Sequence, residues 1–559
     1  MAREAFMSTM APRKKDQNII RRLRLREIVD FKPGISHYFI HRKLYQNVFP
    51  NMSVMNIDTP SCFLRKFTPD GRYLIAFSND QYALIIYEYR GPSAANELLT
   101  SLGVNGDCAG NRDDENPKQA RLIRSKIFQL FFKLKNVIHL TNNNEQLNRE
   151  CSLFTEDSRY VIVASAALAN EGAHPIYDEV RNNESINLNY RRVLEDYCLH
   201  LIDIRSGKQC DSLSYKIDRI MLSHNQGIYL HKDVLAVLSI QHQTIHIYNI
   251  VDDPVSGKRF VKRNSIGRFC FEDDEALLSY AIYDPHQPQN RPCNELWINS
   301  LKQRLLAHLF RDSKQKTEST GDPRHLAKFY QNFDHYLSLK MWKMQLLDED
   351  HLFIKYAAEE VFTGRTSESL PSFFAVYQIS TATIHTVYEN TSSKLLWLFE
   401  NFCDFFRNCH FKSYQHISSP SNNIYARLLH QRCKDVIANA RYGGQLEATR
   451  RTLSILPISA QSYSPSPYLD LSLFSYDDKW VSAMERPKAC GEHPIKFYAR
   501  DSGYLRFKVH AEMETQNPPH HALRLVVFAF HPFDPFALSF QRTNSEYIVN
   551  LHLRHVNQS

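Results

Sequence analysis

The chain has 559 residues, more than one compact core usually holds, so it needs either several domains or one repeat fold with large insertions. Hydrophobic residues make up 43% and charged residues 23%, the balance of an ordinary globular protein and not of a disordered chain. The net charge of +8 is concentrated in residues 12–43, where ten Lys/Arg face three acids; a nucleic-acid binder with a basic patch on its folded body should look different.

The first residues, "MAREAFMSTMAPRKK", lack the apolar stretch of a secretory signal. "NIIRRLRLREI" (18–28) follows and has two readings. As a helix, Asn18 is a good N-cap, and Ile19, Ile20 and Leu23 fall on one side, with Ile28 completing the apolar edge. Arg21, Arg22, Arg24 and Arg26 cover the rest. Burying the four apolar side chains yields roughly 6–12 kcal/mol gross, at about 1.5–3 each. Association and ordering cost about 4–15 kcal/mol, so such a helix alone docks modestly. The other reading is a solvated basic arm for nuclear import or nucleic acid, which is compatible with docking.

From residue 46 onward, strand and turn signals repeat. "FTPDGRYLIAFS" (67–78) matches "FTEDSRYVIVAS" (154–165) at Phe67/Phe154, Asp70/Asp157, Arg72-Tyr73/Arg159-Tyr160 and Ser78/Ser165. Each reads as a strand end, a tight turn and a strand of β-formers. Looser echoes stand at "FSYDDKWVSAME" (474–485) and "FHPFDPFALSF" (530–540). Further strands are expected at 81–90, 197–208, 233–250 (a pair), 351–356 and 371–390, with a hairpin at 493–509 around Asp501-Ser502-Gly503. Repeated strand–turn–strand units predict a mainly β fold, a WD40-like β-propeller. Seven blades of roughly 45 residues need about 315, which leaves on the order of 240 for an N-terminal arm (1–45) and helical insertions in the body (46–559). The insertions lie near 296–345 and 394–455. Ile298, Leu301, Leu305 and Leu309 recur at helical steps, as do Leu395, Leu398, Phe402 and Phe405. Residues 424–453 read as two helices stopped at Gly443-Gly444. Polar stretches at 91–120, 167–194, 251–264 and 311–325 read as loops.

Catalytic signatures are missing: there is no Gly-x-Ser-x-Gly elbow, His-Glu-x-x-His pair or phosphate loop. "RSGK" (205–208) reads as a hairpin turn. His242 and His246, read on one strand, would stand about 13 Å apart, too far to share a metal. The acidic run 271–275 and the Ser464-Pro465-Ser466-Pro467 stretch read as a solvated turn and a plain loop. Eleven scattered cysteines without a Cys-x-x-Cys pair suggest reduced thiols and no structural zinc. No enzyme activity, cofactor or metal is expected.

The sequence resembles the De-etiolated-1 family over nearly its whole length. The passages that carry this include "PSCFLRKFTPDGRYLIAFS" (60–78), "LNRECSLFTEDSRYVIVAS" (147–165), "MWKMQLLDEDHLFIKY" (341–356) and "LPISAQSYSPSPYLDLSLFSYDDKWVSAMERPK" (456–488). The loops at 91–120 and 311–325 depart most from it. The resemblance implies a nuclear β-propeller without activity of its own. It further implies a place in cullin-four RING ubiquitin ligases that act on transcription factors. The partners so implied are the damaged-DNA-binding adaptor, its small associated subunit, a constitutive-photomorphogenic RING ligase and ubiquitin-conjugating E2 enzymes. The 18–28 stretch is similar to the short helical box that enters the adaptor's cleft. Ile19, Ile20 and Leu23 would then be buried anchors, and the roles of Arg22 and Arg26 stay open. The alternative is a chromatin-associated repressor that touches histones or DNA directly.

Overall fold

In the computed structural model of the chain, the described residues are 20, 43–101, 108–109, 117–141, 144–169, 194–267, 301–358, 372–408, 418–491, 493–511, 524–542 and 547–555. They form a mainly β molecule of six sheets, flanked by helices. Strand β1 (Met52–Val54) comes first. The first sheet then runs through β2 (Cys62–Phe67), β3 (Tyr73–Ser78) and β4 (Ala83–Tyr89). After the short β5 (Cys108–Ala109) and the helix Pro117–Phe131, β6 (Phe132–His139) completes it. The second sheet is β7 (Gln146–Phe154), β8 (Tyr160–Leu168), β9 (Glu195–Asp203) and β10 (Lys208–Asp218). The third is β11 (Ile228–His231), β12 (Val234–Ser239), β13 (Thr244–Asp253) and β14 (Gly257–Ile266). The fourth is β15 (Leu339–Leu346), β16 (His351–Ala358), β17 (Phe373–Gln378) and β18 (Thr383–Glu389). All four are antiparallel meanders in chain order.

The last two sheets are less regular. β19 (Phe474–Ser475) is followed by β20 (Lys488–Cys490), β21 (Ile495–Ala499), β22 (Leu505–Val509), β23 (Arg524–Phe530), β24 (Ala537–Arg542) and β25 (Tyr547–Leu553). β19, β21 and β22 make the fifth sheet; the sixth runs β20-β23-β24-β25-β1-β5. β1 pairs antiparallel with β25, with Met52 opposite Leu553 and Val54 opposite Leu551. The first and last described strands therefore lie side by side.

The central strands are apolar on both faces: all six residues of β12, "VLAVLS", are buried, as are the first six of β8. A strand covered on both sides needs such a continuous run. The outer strand β14 instead exposes Arg259, Lys262 and Arg263, charges that oppose edge-to-edge association. Apolar clusters join the sheets in succession. One unites the second, third and fourth sheets, another the first and second, a third the first and sixth, and a fourth the fifth and sixth. Between the fourth and fifth sheets stand the helices Ser393–Asn401, Cys403–Phe406, Ile424–Ala438 and Gln445–Leu453. Phe353 and Phe374 of the fourth sheet pack on Leu395, Phe399 and Phe406. On the other side Asn423 Nδ2 donates to Asp470 Oδ1 at 3.0 Å, and Arg500 lies over the Tyr425 ring.

The segment Leu456–Ser466 touches several sheets at once. Ile458 N donates to Gln345 Oε1 at 2.8 Å, and Asn225 Nδ2 donates to Ala460 O at 3.1 Å. Gln461 clamps the Phe154 backbone, accepting from its N–H at 2.9 Å and donating to its carbonyl at 2.6 Å. Buried backbone groups need partners, and these carboxamides stand in for an absent strand. Gln243 does the same between the third and fourth sheets, on Met341 N and O.

Several expectations are corrected. The 311–325 stretch is largely helical: Leu301–Thr320 continues through it, held by the pairs Lys316–Asp312 and Lys314–Glu318 one turn apart. Residues 251–264 form the β13–β14 hairpin, where Asp253 Oδ2 accepts from Ser256 N and Oγ and Gly257 adopts φ +94°. Part of 91–120 is helical, over Asn96–Ser101 and from Pro117, because Leu99, Ala120 and Ile123 turn inward. The 474–485 echo has its turn, with Lys479 N on Asp477 Oδ1, but the residues after it make only an isolated bridge, Met484 to Tyr463, and the next strand, β20, begins at Lys488. His242 sits in the β12–β13 turn and not on a strand with His246. The expected helix pair breaks where Gly443-Gly444 precede Gln445–Leu453, and the 493–509 hairpin is β21–β22. Residues 170–193 and 271–275 lie outside the described residues.

Candidate functional site

The repeated turns are built alike. Thr68 Oγ1 bonds Asp70 Oδ1, which also accepts from Arg72 N, and Tyr73 N donates back to Thr68 Oγ1 at 3.1 Å. Thr155, Asp157, Arg159 and Tyr160 reproduce each bond. In the 530–540 echo, His531 takes the threonine's place. Its Nδ1 accepts from Phe533 N at 3.1 Å and Asp534 N at 2.8 Å, so its proton is on Nε2, which donates to Gly71 O at 2.9 Å. Burial pushes the His531 pKa down and keeps this neutral tautomer.

These three turns, residues 229–232, Arg407-Asn408, part of the 456–466 segment and Glu485 line one cavity of about 650 Å³. Most polar groups on its wall are paired. Lys232 binds Glu349, Asn408 Nδ2 donates to the Tyr229 hydroxyl and to Leu346 O, and Arg407 stacks on Tyr463 with 4.0 Å to the centroid. Lys66 differs. A register shift at Arg65 lets Lys66 and Phe67 both face inward, the re-aiming that a β-bulge produces. Lys66 is 5% exposed; its Nζ donates to Gln461 O at 3.4 Å and lies 5.2 Å from the centre of the Phe154 ring. No carboxylate lies within 4 Å of it among the described residues. Burial lowers its pKa to about 8, partly opposed by the charge of Glu485.

A second cavity of about 950 Å³ is lined by residues of β7–β9, among them Leu147, Ala166 and Tyr197, and by 219–223. Nearby, Ser165 Oγ lies 2.9 Å from His200 Nε2 and 3.0 Å from Glu145 Oε2. Ser165 and His200 are 0% and 3% exposed and are not among the residues lining these two cavities; the pair ties β8 to β9.

Of the expected docking residues, Asn18, Ile19, Arg22, Leu23, Arg26 and Ile28 lie outside the described residues; Ile20 is helical and 69% exposed. His246 Nδ1 meets Ser265 Oγ at 3.1 Å, and no group of three or more possible metal ligands occurs among the described residues. Residues 204–207 form the turn between β9 and β10, and Lys208 opens β10. Ser464 and Ser466 are each 3% exposed, so the Ser-Pro stretch is packed. Cys62, Cys151, Cys198, Cys210, Cys403, Cys433 and Cys490 are free thiols. None of the described helices is long and apolar enough to cross a membrane.

The cavity residues Lys66, Arg407, Gln461, Tyr463 and Glu485 escaped sequence reasoning. One signal was available: Lys66 stands where the sister repeat has Leu153, a fully buried core residue.

A family model described as De-etiolated protein 1 Det1 matches residues 149–555. The chain belongs to the De-etiolated protein 1 family. It is 32% identical to Light-mediated development protein DET1 of Solanum lycopersicum, over 97% of this chain and 99% of that one. It is 30% identical to the Arabidopsis thaliana protein of the same name, over 96% and 99%. The matched span thus covers nearly all of the second sheet, the third to fifth sheets, β20 and β23–β25 of the sixth, and the cavity wall except residues 66–72. Among solved structures, an acylaminoacyl peptidase complex aligns with 61% of this chain and 46% of its own at 7% identity; its TM-score of 0.21 carries no argument.

Proposed function

We propose that the chain is a non-catalytic receptor or scaffold subunit of a nuclear cullin-RING ubiquitin ligase. In this reading residues 18–28 dock on the damaged-DNA-binding adaptor of cullin-four ligases, and the chain works with the adaptor's small associated subunit. The body presents a photomorphogenic-type RING ligase and E2 enzymes to transcription regulators. Family membership over 97% of the chain carries the reading.

Two features support it. The sheets succeed one another as propeller blades do, and the pairing of β1 with β25 resembles the closure of such a ring. The helices between the fourth and fifth sheets also expose Trp397, Phe402 and Phe405, and exposed aromatic clusters suit protein contacts.

The test is Ile20→Asp with Leu23→Asp in the full chain. Recovery of the adaptor from nuclear extract should be lost while the thermal melt stays unchanged. Undiminished recovery would remove 18–28 from the docking role. The basic stretch 12–43 favours one second reading, a chromatin-associated repressor; DNA or histone binding that collapses steeply with salt, without adaptor recovery, would put it first.

A further inference from the structure

We propose that the cavity between the repeated turns is a recognition site for a carboxylate carried on an apolar frame, with Lys66 as its counter-ion. The proposal goes beyond ligase membership and does not rest on it.

A buried ammonium is expensive unless it is paired. Lys66 is 5% exposed and holds one long bond to a backbone carbonyl, at 3.4 Å. The structure spends this cost in one copy of a repeat whose other copy places Leu153 there, so the fold itself does not require the charge. The side chain lines a cavity of about 650 Å³, within the range of ligand sites, whose wall includes Phe533, itself 39% exposed. Phe154, Tyr229 and Tyr463 supply apolar wall around it. The wall's other basic groups are engaged, Arg72 by Asp70, Lys232 by Glu349 and Arg407 by Ser418 O and the Tyr463 ring, so Lys66 beside aromatic faces selects an anion with hydrophobic bulk attached.

Two charged neighbours refine the choice. Arg65 adds positive charge, while Glu485 shares the wall outside ion-pair reach. Its negative charge penalises a phosphate dianion more than a carboxylate monoanion. The shared chemistry has two sources: an Asp or Glu beside an aromatic residue in a partner peptide, or a free aromatic carboxylic acid.

The experiment is calorimetry on the full chain with N-acetyl-Phe-Glu-amide and with 3-phenylpropionate. The controls are N-acetyl-Phe-Gln-amide, 3-phenylpropionamide and the phosphoserine peptide N-acetyl-Phe-phosphoserine-amide. At least one carboxylate should bind about 10-fold or more tighter than its amide, the weight of one charge-assisted hydrogen bond. The tighter carboxylate identifies the source. Lys66→Met, which imitates the apolar sister position and should fold, should abolish the difference; Lys66→Arg should keep part of it. Because binding holds the amine protonated, titrations near pH 8.5 in buffers of different ionisation enthalpy should show proton uptake, which a purely structural lysine would not. Equal binding of acid and amide, no binding of any probe, a stronger phosphoserine peptide, or an unaltered Lys66→Met variant would each overturn the proposal.

Discussion

The turns 68–73 and 155–160 have the same hydrogen bonds and differ at two positions, Pro69/Glu156 and Gly71/Ser158, of which only the second lies in the left-handed region. Gly71 adopts φ +74° and Ser158 φ +56°, so both occupy the left-handed region. Thr68 N reaches Tyr73 O at 2.8 Å and Thr155 N reaches Tyr160 O at 3.1 Å. The turn thus forms with or without glycine, because the Thr–Asp pair holds it. What differs is the neighbourhood. A Cβ on Gly71 would stand 2.5 Å from the ring of His531, which packs against this turn. Glycine at 71 answers a neighbour 460 positions away and not the local backbone. A residue that looks like turn chemistry is here a packing residue.

The comparison breaks most sharply at Gly71→Ser. The sister turn tolerates serine, so the loss should come mainly from the His531 contact. About 2–4 kcal/mol is expected, from overpacking plus left-handed strain. Chemical denaturation measures it, and wild-type stability would mean that His531 moves aside freely.

A smaller effect should come from pH. Burial depresses the His531 pKa, with Asp534 and Asp70 pulling the other way. The unfolded histidine, near 6.5, therefore takes its proton first as pH falls. The stability His531 contributes is complete above about pH 6.5 and declines below it, through the lower folded pKa. Protonated Nδ1 can no longer accept from Phe533 N and Asp534 N, so those amides should exchange faster at pH 5.5 than at 7.5 once the intrinsic rate is corrected. The Thr155 turn, which uses a hydroxyl in the same place, should not follow. Equal acceleration at both turns would assign the effect to global loosening.

The smallest effect should be that of Ser158→Gly. Relief of left-handed strain and the larger freedom of the unfolded glycine oppose each other, and the net change should stay within about 1 kcal/mol. A loss beyond 2 kcal/mol would mean that the Ser158 side chain, 6% exposed, holds more than its own turn.

The sequence by itself determined the local elements. Alternating and continuous apolar runs set β3, β8, β12 and β13, the Thr-x-Asp spacing made two equal turns, and helical steps set Ser393–Asn401 and Ile424–Ala438. It misjudged polar stretches such as 311–325, because ion pairs one turn apart support a helix that buries little. Tertiary structure alone decided which turns meet. Neither the carboxamides of Gln243, Gln345 and Gln461 nor the inward Lys66 carries a local signature, because each serves a backbone or a cavity contributed by distant segments. Side-chain periodicity is a property of one strand or helix, whereas the pairing of a buried polar group depends on what the rest of the chain brings to it.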